Sequence, residues 1–216
     1  MDAVCFDMDG VLVNSEDFWI PREVDELFPR LLPDESVDVE EITGMNYRDI
    51  YDYLAENYAV AMDRDEFVAW YDGAAEDIYG EDVTLLPGAT DLVDELRERG
   101  IRVALVSSSP PHWIDVVLER FPLSFDAVVS ADSVDVPGKP DPDIYEYAAD
   151  QLGVAPAATV AVEDSGHGIE ASSRAGMHVV GFKHGAPDNT DRSGADYVAT
   201  SPADLRDHLR SRVDEN

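Results

Sequence analysis

An α/β fold, a doubly wound parallel sheet with a helical insertion after its first strand, is what three features of the sequence predict. Short apolar runs rich in β-branched residues recur along the chain, helical periodicities lie between them, and residues 16–84 carry helical patterns without a strand among them. The apolar runs do not alternate with polar residues, so they read as buried strands of a Rossmann-like parallel sheet rather than half-exposed ones.

The first strand is "AVCFD" (3–7). Beyond it, Val24, Leu27, Phe28 and Leu31 form one amphipathic face, Ile50, Tyr53 and Leu54 a second, and Phe67, Trp70, Tyr71, Ala74 and Ile78 a third. The chain returns near "LLPGA" (85–89), which predicts an α/β core of residues 1–14 and 86–216 and a helical cap over 15–85. The helix at 89–99 has Ala89, Leu92, Val93 and Leu96 on one face and stops at Gly100. Strands follow at 101–108, 127–130, 159–164, 178–182 and 197–199, with helices at 111–121, 141–152, 167–176 and 202–213.

A chain of 216 residues with 44% hydrophobic content can bury a substantial core. It has no run of about 18 apolar residues to span a bilayer, and its start lacks the basic flank and long apolar stretch of a signal peptide. The expectation is a soluble cytoplasmic protein. The net charge of −32 arises from 47 acidic against 15 basic residues, and only Lys139 and Lys183 are lysines. Such a surface repels nucleic acids and anionic membranes. The acids are spread along the chain, and salt would screen their mutual repulsion, which predicts a salt-loving source. The single cysteine, Cys5, excludes an internal disulfide and reads as a small buried hydrophobe. His112, His167, His178, His184 and His208 show no zinc-ligand spacing.

Ligands of open α/β sheets bind beyond the carboxyl ends of the strands, so the residues there carry the functional reading. The first strand ends in Asp7-Met8-Asp9-Gly10, either an acidic turn or a carboxylate nucleophile with a second carboxyl beside it for proton transfer. The second ends in Ser107-Ser108-Ser109, either a helix cap or a cradle for phosphoryl oxygens. "GKPDPDIY" places Lys139, one of two lysines, before a helix, where a fixed cation could clamp a phosphoryl group. The strand at 159–164 delivers Glu163 and Asp164, an acidic helix start or a pair suited to Mg2+, a hard cation with oxygen ligands. Together these four strand ends hold the inventory of phosphoryl transfer.

With "DMDGVL", "LVSSS", "GKPDPDIY" and "VEDSGHGI" in this order, the chain resembles the haloacid dehalogenase superfamily of phosphohydrolases. The likeness is to the branch with a helical cap after the first motif, which includes phosphoglycolate phosphatases and β-phosphoglucomutases. The resemblance implies Asp7 as the nucleophile that forms an aspartyl-phosphate, Asp9 as acid and base, Ser107 and the backbone of Ser108 as phosphoryl contacts, and Lys139 as the charge partner of Asp7. It implies Mg2+ held by Asp7, the main-chain carbonyl of Asp9, Asp164 and Glu163.

Departures sort the branch. Dehalogenases of the superfamily lack the second aspartate, and phosphonate-cleaving relatives use a cap lysine, of which residues 15–85 have none. The mutases carry histidine where this chain has Trp19, and a cap arginine one residue closer to the glycine than Arg48 is to Gly44. The expected activity is a Mg2+-dependent phosphatase of a small phosphomonoester, of phosphoglycolate or sugar-phosphate type, with a mutase as the alternative. Arg48, beyond the "TGMN" turn of Gly44, is expected to reach an anionic or hydroxylated substrate tail, and Trp19 to close over the leaving group or pack the hinge. A monomer and a homodimer are both compatible with the chain.

Overall fold

Six parallel strands form one sheet in the order β3-β2-β1-β4-β5-β6. They are β1 (Ala3–Phe6), β2 (Arg102–Ser107), β3 (Ala127–Ser130), β4 (Thr159–Glu163), β5 (His178–Phe182) and β6 (Tyr197–Ala199). The computed structural model describes residues 1–183 and 190–214; His184 lies outside them. Sequence order reverses about β1, which pairs with β2 on one side and β4 on the other. Phe6 stands level with Leu105 and with Val162. The carboxyl ends of three strands therefore open at one place, the switch point where α/β sheets bind ligands.

Alternation along β1 divides the core between the two faces. Val4 and Phe6 join the larger apolar cluster. Ala3 and Cys5 face the smaller one, with Ala104, Val106, Ile144 and Tyr145. Burial pushes the Cys5 thiol up to about 12, so it stays an inert hydrophobe. The outer strands depart from the expectation of full burial: Val128 on β3 is 47% exposed and Val198 on β6 is 39%. Each lies on a sheet edge, where one face lacks a full covering layer.

The helices between Glu16 and Asp82 form the cap. They are α1 (Glu16–Arg22), α2 (Phe28–Leu31), α3 (Tyr47–Asn57) and α4 (Arg64–Asp77). Side-chain caps start the two longer ones: Asn46 accepts from the Arg48 N–H and Asp63 from the Glu66 N–H, each at 2.9 Å. The predicted first face is displaced. A π-helical turn over Glu23–Leu27 changes the angular phase. Leu27, Phe28 and Leu31 are buried, but Val24 is 44% exposed and Glu23 is buried instead. The larger cluster runs without interruption from the sheet face into the cap, through Trp19, Tyr47 and Phe67.

The two linkers between cap and sheet are paired to each other. Val13 bridges Leu85, Leu86 N–H donates to Leu12 O at 2.7 Å, and Thr84 N–H donates to Asn14 Oδ1 at 2.6 Å. After them come α5 (Ala89–Glu98), α6 (Pro111–Arg120), α7 (Asp143–Leu152), α8 (Gly166–Arg174) and α9 (Pro202–Asp214). No helix among the described residues is long and apolar enough to cross a membrane.

His178 at the start of β5 meets α9 ring to ring. Its Nε2 lies 3.2 Å from Nε2 of His208, whose ring stacks on Tyr197 at 3.9 Å. Burial and the Arg212 charge hold the His178 imidazole below its ordinary 6.5, against the pull of Asp196. A histidine depressed in the folded state withdraws stability as pH falls below its unfolded value. Thermal melts of the wild type and His178→Gln are therefore expected to differ by a constant amount above pH 6.5. Below it the wild type should lose stability faster, and parallel curves down to pH 5 would contradict this.

Candidate active site

Asp7 lies one residue beyond β1, and its N–H donates to Val162 O at 3.0 Å, so the backbone is still held by the sheet. Its carboxylate is buried beside Lys139, which comes from the loop before α7. The Lys139 ammonium, 1% exposed, donates to Asp7 Oδ1 at 2.6 Å and pairs with Glu163 Oε1 at 2.6 Å. The Tyr145 hydroxyl, one turn into α7, donates to the same Glu163 oxygen. Burial alone would lower the lysine pKa, but Asp7 and Glu163 together raise it, so Lys139 stays charged.

Asp7, Glu163 and Asp164 bring ligand oxygens within 4.8 Å of one another. Burial first, then neighbouring carboxylates, push Asp7 and Asp164 well above the usual carboxylate range, and Lys139 opposes this. Asp164 Oδ2 is buried and takes no hydrogen bond. Gly10, at φ +69°, leaves room for it: a Cβ there would stand 1.8 Å from that oxygen. Three carboxyl groups crowd one ammonium in a dry site and offer the oxygen donors of a divalent cation, whose charge would favour their ionised forms. An orphaned oxygen and an all-carboxylate donor set fit a metal such as Mg2+.

Asp9 faces the other way. Its Oδ1 accepts from the hydroxyls of Ser15 and Tyr79, each at 2.6 Å, and its Oδ2 from Ser109 at 2.8 Å. The Trp19 indole N–H donates to the Tyr79 oxygen at 3.1 Å, aiming that hydroxyl's proton at Asp9. Trp19 is buried, stacks on Trp113 with centroids 5.5 Å apart, and lines the cavity above Asp7 and Asp9. That cavity holds about 70 Å³ and is bounded by Glu16, Glu23, Gly44, Tyr47, Tyr71 and Ser108, among others.

The serines after β2 do not cap α6, whose first turn begins at Pro111. Ser107 is fully buried, and its Oγ accepts from the Ser109 N–H at 3.0 Å. Ser108 donates to Gly44 O at 2.8 Å. Gly44, at φ +86°, presses the cap against α8: a Cβ there would stand 2.3 Å from Ser165 Oγ. Arg48 does not line the cavity; it pairs with Asp132 on the core, which also accepts from Asn46 Nδ2 at 2.8 Å. The positions Asp7, Lys139, Glu163 and Asp164 thus come together, Asp9, Ser108, Gly44 and Trp19 line the adjoining cavity, and Arg48 joins cap to core.

Tyr79, Tyr145, Glu16 and Glu23 escaped the sequence reading, which named Ser109 without a role of its own. Ser109 and Tyr145 stood inside the quoted motifs, whereas Tyr79 lies 70 residues from Asp9 without a local signal. Glu23 lay hidden among the acids of the cap, and its burial gives it away. Burial raises its carboxyl from 4.5 to about 7, against a 2.6 Å hydrogen bond from Tyr71 that lowers it. A raised carboxyl stabilises the fold at low pH and loses that contribution as pH climbs from 4.5 through about 7. Glu23→Gln, neutral throughout, is therefore expected to gain stability over the wild type across that window. The gain should level off above pH 7 at on the order of 3 kcal/mol; urea melts at pH 5 and pH 8 with equal differences would contradict it.

The model of the haloacid dehalogenase-like hydrolases matches residues 1–176. Hexitol phosphatase B of Escherichia coli K12 is 34% identical over 187 residues, 82% of each chain. The β-phosphoglucomutase of Bacillus subtilis is 31% identical over 217 residues, 95% of this chain and 92% of that one. A haloacid dehalogenase family hydrolase of Deinococcus radiodurans, solved with bound phosphate and sodium, superimposes with a TM-score of 0.67 at 30% identity, covering 98% of this chain and 96% of that one. With its four motifs gathered at the carboxyl end of the sheet beneath a helical cap, the chain belongs to the haloacid dehalogenase-like hydrolases, as an enzyme of the phosphoric monoester hydrolase class.

Proposed function

We propose that the protein is a Mg2+-dependent phosphatase that cleaves a small-metabolite phosphomonoester through an aspartyl-phosphate on Asp7. The observation that carries this reading is the buried Lys139 ammonium, 2.6 Å from both Asp7 and Glu163, beside an Asp164 oxygen without a partner. Asp7, Asp164, Glu163 and the main chain of Asp9 would hold Mg2+. When bound, it would neutralise the carboxylates and the developing phosphoryl charge.

Lys139 favours the ionised form of Asp7 against its burial, and bound Mg2+ would add to that bias, as a carboxylate nucleophile requires. Asp7 attacks phosphorus, the ester P–O bond breaks, and Asp9 supplies the proton to the departing oxygen. Asp9 then takes a proton from the water that cleaves the acyl phosphate and frees Asp7. Ser107 and Ser108, at the end of β2, serve the phosphoryl oxygens. Mutase activity would need a grip on a second phosphate, and the engagement of Arg48 by Asp132 favours hydrolysis.

Phosphate release from ester substrates, measured in molar potassium chloride to screen the net charge, is expected to vanish on chelation and return with Mg2+. Asp7→Asn is expected to lower kcat by at least about a thousandfold with the fold intact; full activity in this variant would overturn the mechanism. Tyr79→Phe removes one of three donors to Asp9, a loss of about 1.5–3 kcal/mol for a charged acceptor. Its kcat should fall by about tenfold or more with KM little changed, and an unchanged kcat would dismiss Tyr79 as a positioning residue.

A further inference from the structure

The cavity above the reacting carboxylates has an unusual balance of charge. Among the described residues no lysine, arginine or histidine lines it, whereas Glu16 and Glu23 do. Its other walls are aromatic. Trp19 stacks on Trp113, Trp113 lies 4.9 Å from Tyr47, and Tyr47 lies 5.4 Å from Tyr71. Tyr71 in turn lies 5.2 Å from Trp19, which closes the ring of side chains.

Glu23 is the singular member. It is 7% exposed, yet the partner found for it among the described residues is one neutral donor, the Tyr71 hydroxyl on Oε1. No hydrogen bond among those residues reaches its Oε2. A buried carboxylate so thinly supported costs stability, and such costs persist where an incoming group repays them. Tyr71 sets the carboxylate in one orientation, so an acceptor oxygen stands ready at the cavity wall.

We propose that Glu23 is a specificity-determining residue: held by Tyr71, it accepts hydroxyl groups of a neutral polyol or sugar leaving group whose carbon face lies on the Trp19–Trp113 wall, and it turns away esters bearing a second anion. This deepens the phosphatase reading above and rests on it. Carboxylates accept strong hydrogen bonds from hydroxyls, and a site built around such a bond discriminates sharply against ligands lacking it. A second phosphate or a carboxylate would meet no cation and, at pH 8, the ionised Glu23 beside Glu16, and like charges placed face to face reject a ligand effectively. A protonated amine would find the same glutamates attractive, so the amine is the competing occupant the experiment must separate.

The test compares kcat/KM of the Mg2+-loaded protein for a hexitol monophosphate, a hexose bisphosphate, 2-phosphoglycolate, phosphoethanolamine and p-nitrophenyl phosphate. The hexitol ester is expected to exceed the bisphosphate and phosphoglycolate by about a hundredfold and to exceed phosphoethanolamine. Glu23→Gln, which keeps an acceptor but loses the charge, is expected to raise KM for the hexitol ester about tenfold while kcat falls much less. It should also narrow the discrimination against the bisphosphate. Its thermal midpoint at pH 8 should rise, as burial alone dictates, so KM carries the test: a carboxylate without a part in binding would leave KM in place. Tyr71→Phe keeps the ring, removes the orienting hydroxyl, and should raise the same KM by about threefold.

Preference for the bisphosphate or phosphoglycolate, or for phosphoethanolamine over the hexitol ester, would overturn the assigned substrate class. An unchanged KM in both variants would overturn the role of Glu23. Turnover of p-nitrophenyl phosphate with no preference among the metabolites would sink this inference alone. No turnover of any ester would sink the phosphatase reading and this inference with it.

Discussion

The Lys139 ammonium, buried between Asp7 and Glu163, is the interaction on which the rest of the site depends. The ammonium favours the ionised form of Asp7 against its burial, and Asp7 and Glu163 together hold the lysine charged. The geometry converges from three places: β1 delivers Asp7, β4 delivers Glu163, and the loop before α7 delivers the lysine. Tyr145 binds the far side of the cluster through Glu163, so α7 is anchored to the site by a side chain of its own. Gly168 completes the fit, because a Cβ there would stand 2.0 Å from the Glu163 carboxylate. Two glycines, Gly10 and Gly168, thus make room for the two acids that follow each other at the end of β4.

A second polar system surrounds Asp9 and differs in kind. It contains hydroxyls and an indole N–H but no ion of opposite sign. Asp7 is embedded in charge and Asp9 in neutral donors, a division that suits one carboxylate for attack and the other for moving protons. The two systems meet at the cavity floor, while the cap roof is aromatic. The apolar cluster that begins on the sheet passes directly into that roof, so cap and core are packed against each other and not merely tethered.

Much of this was legible in the sequence because the signals were local. A parallel strand leaves a dense β-branched run, and the functional groups sit at the ends of those runs; both survive in a one-dimensional reading. The edge strands misled because exposure of Val128 and Val198 depends on what lies beside them in space. Glu23 and Val24 exchanged roles because one π-helical turn rotates the face, and no residue type in "EVDEL" announces such a turn. Tyr79 was invisible for a third reason: its partner is far along the chain and its neighbours show no pattern. Arg48 was noticed for its charge, yet Asp132, which engages it, is one acid among 47.

The paired linkers have a mechanical consequence. Because Val13 is bonded to Leu85 and Asn14 to Thr84, the outgoing and returning strands behave as a single doubled ribbon. Ser15 and Tyr79 reach Asp9 from the cap side of that ribbon and Ser109 from the sheet side. The hydroxyl shell of Asp9 is therefore completed only where cap and core meet, and the pairing of the linkers fixes that meeting in register.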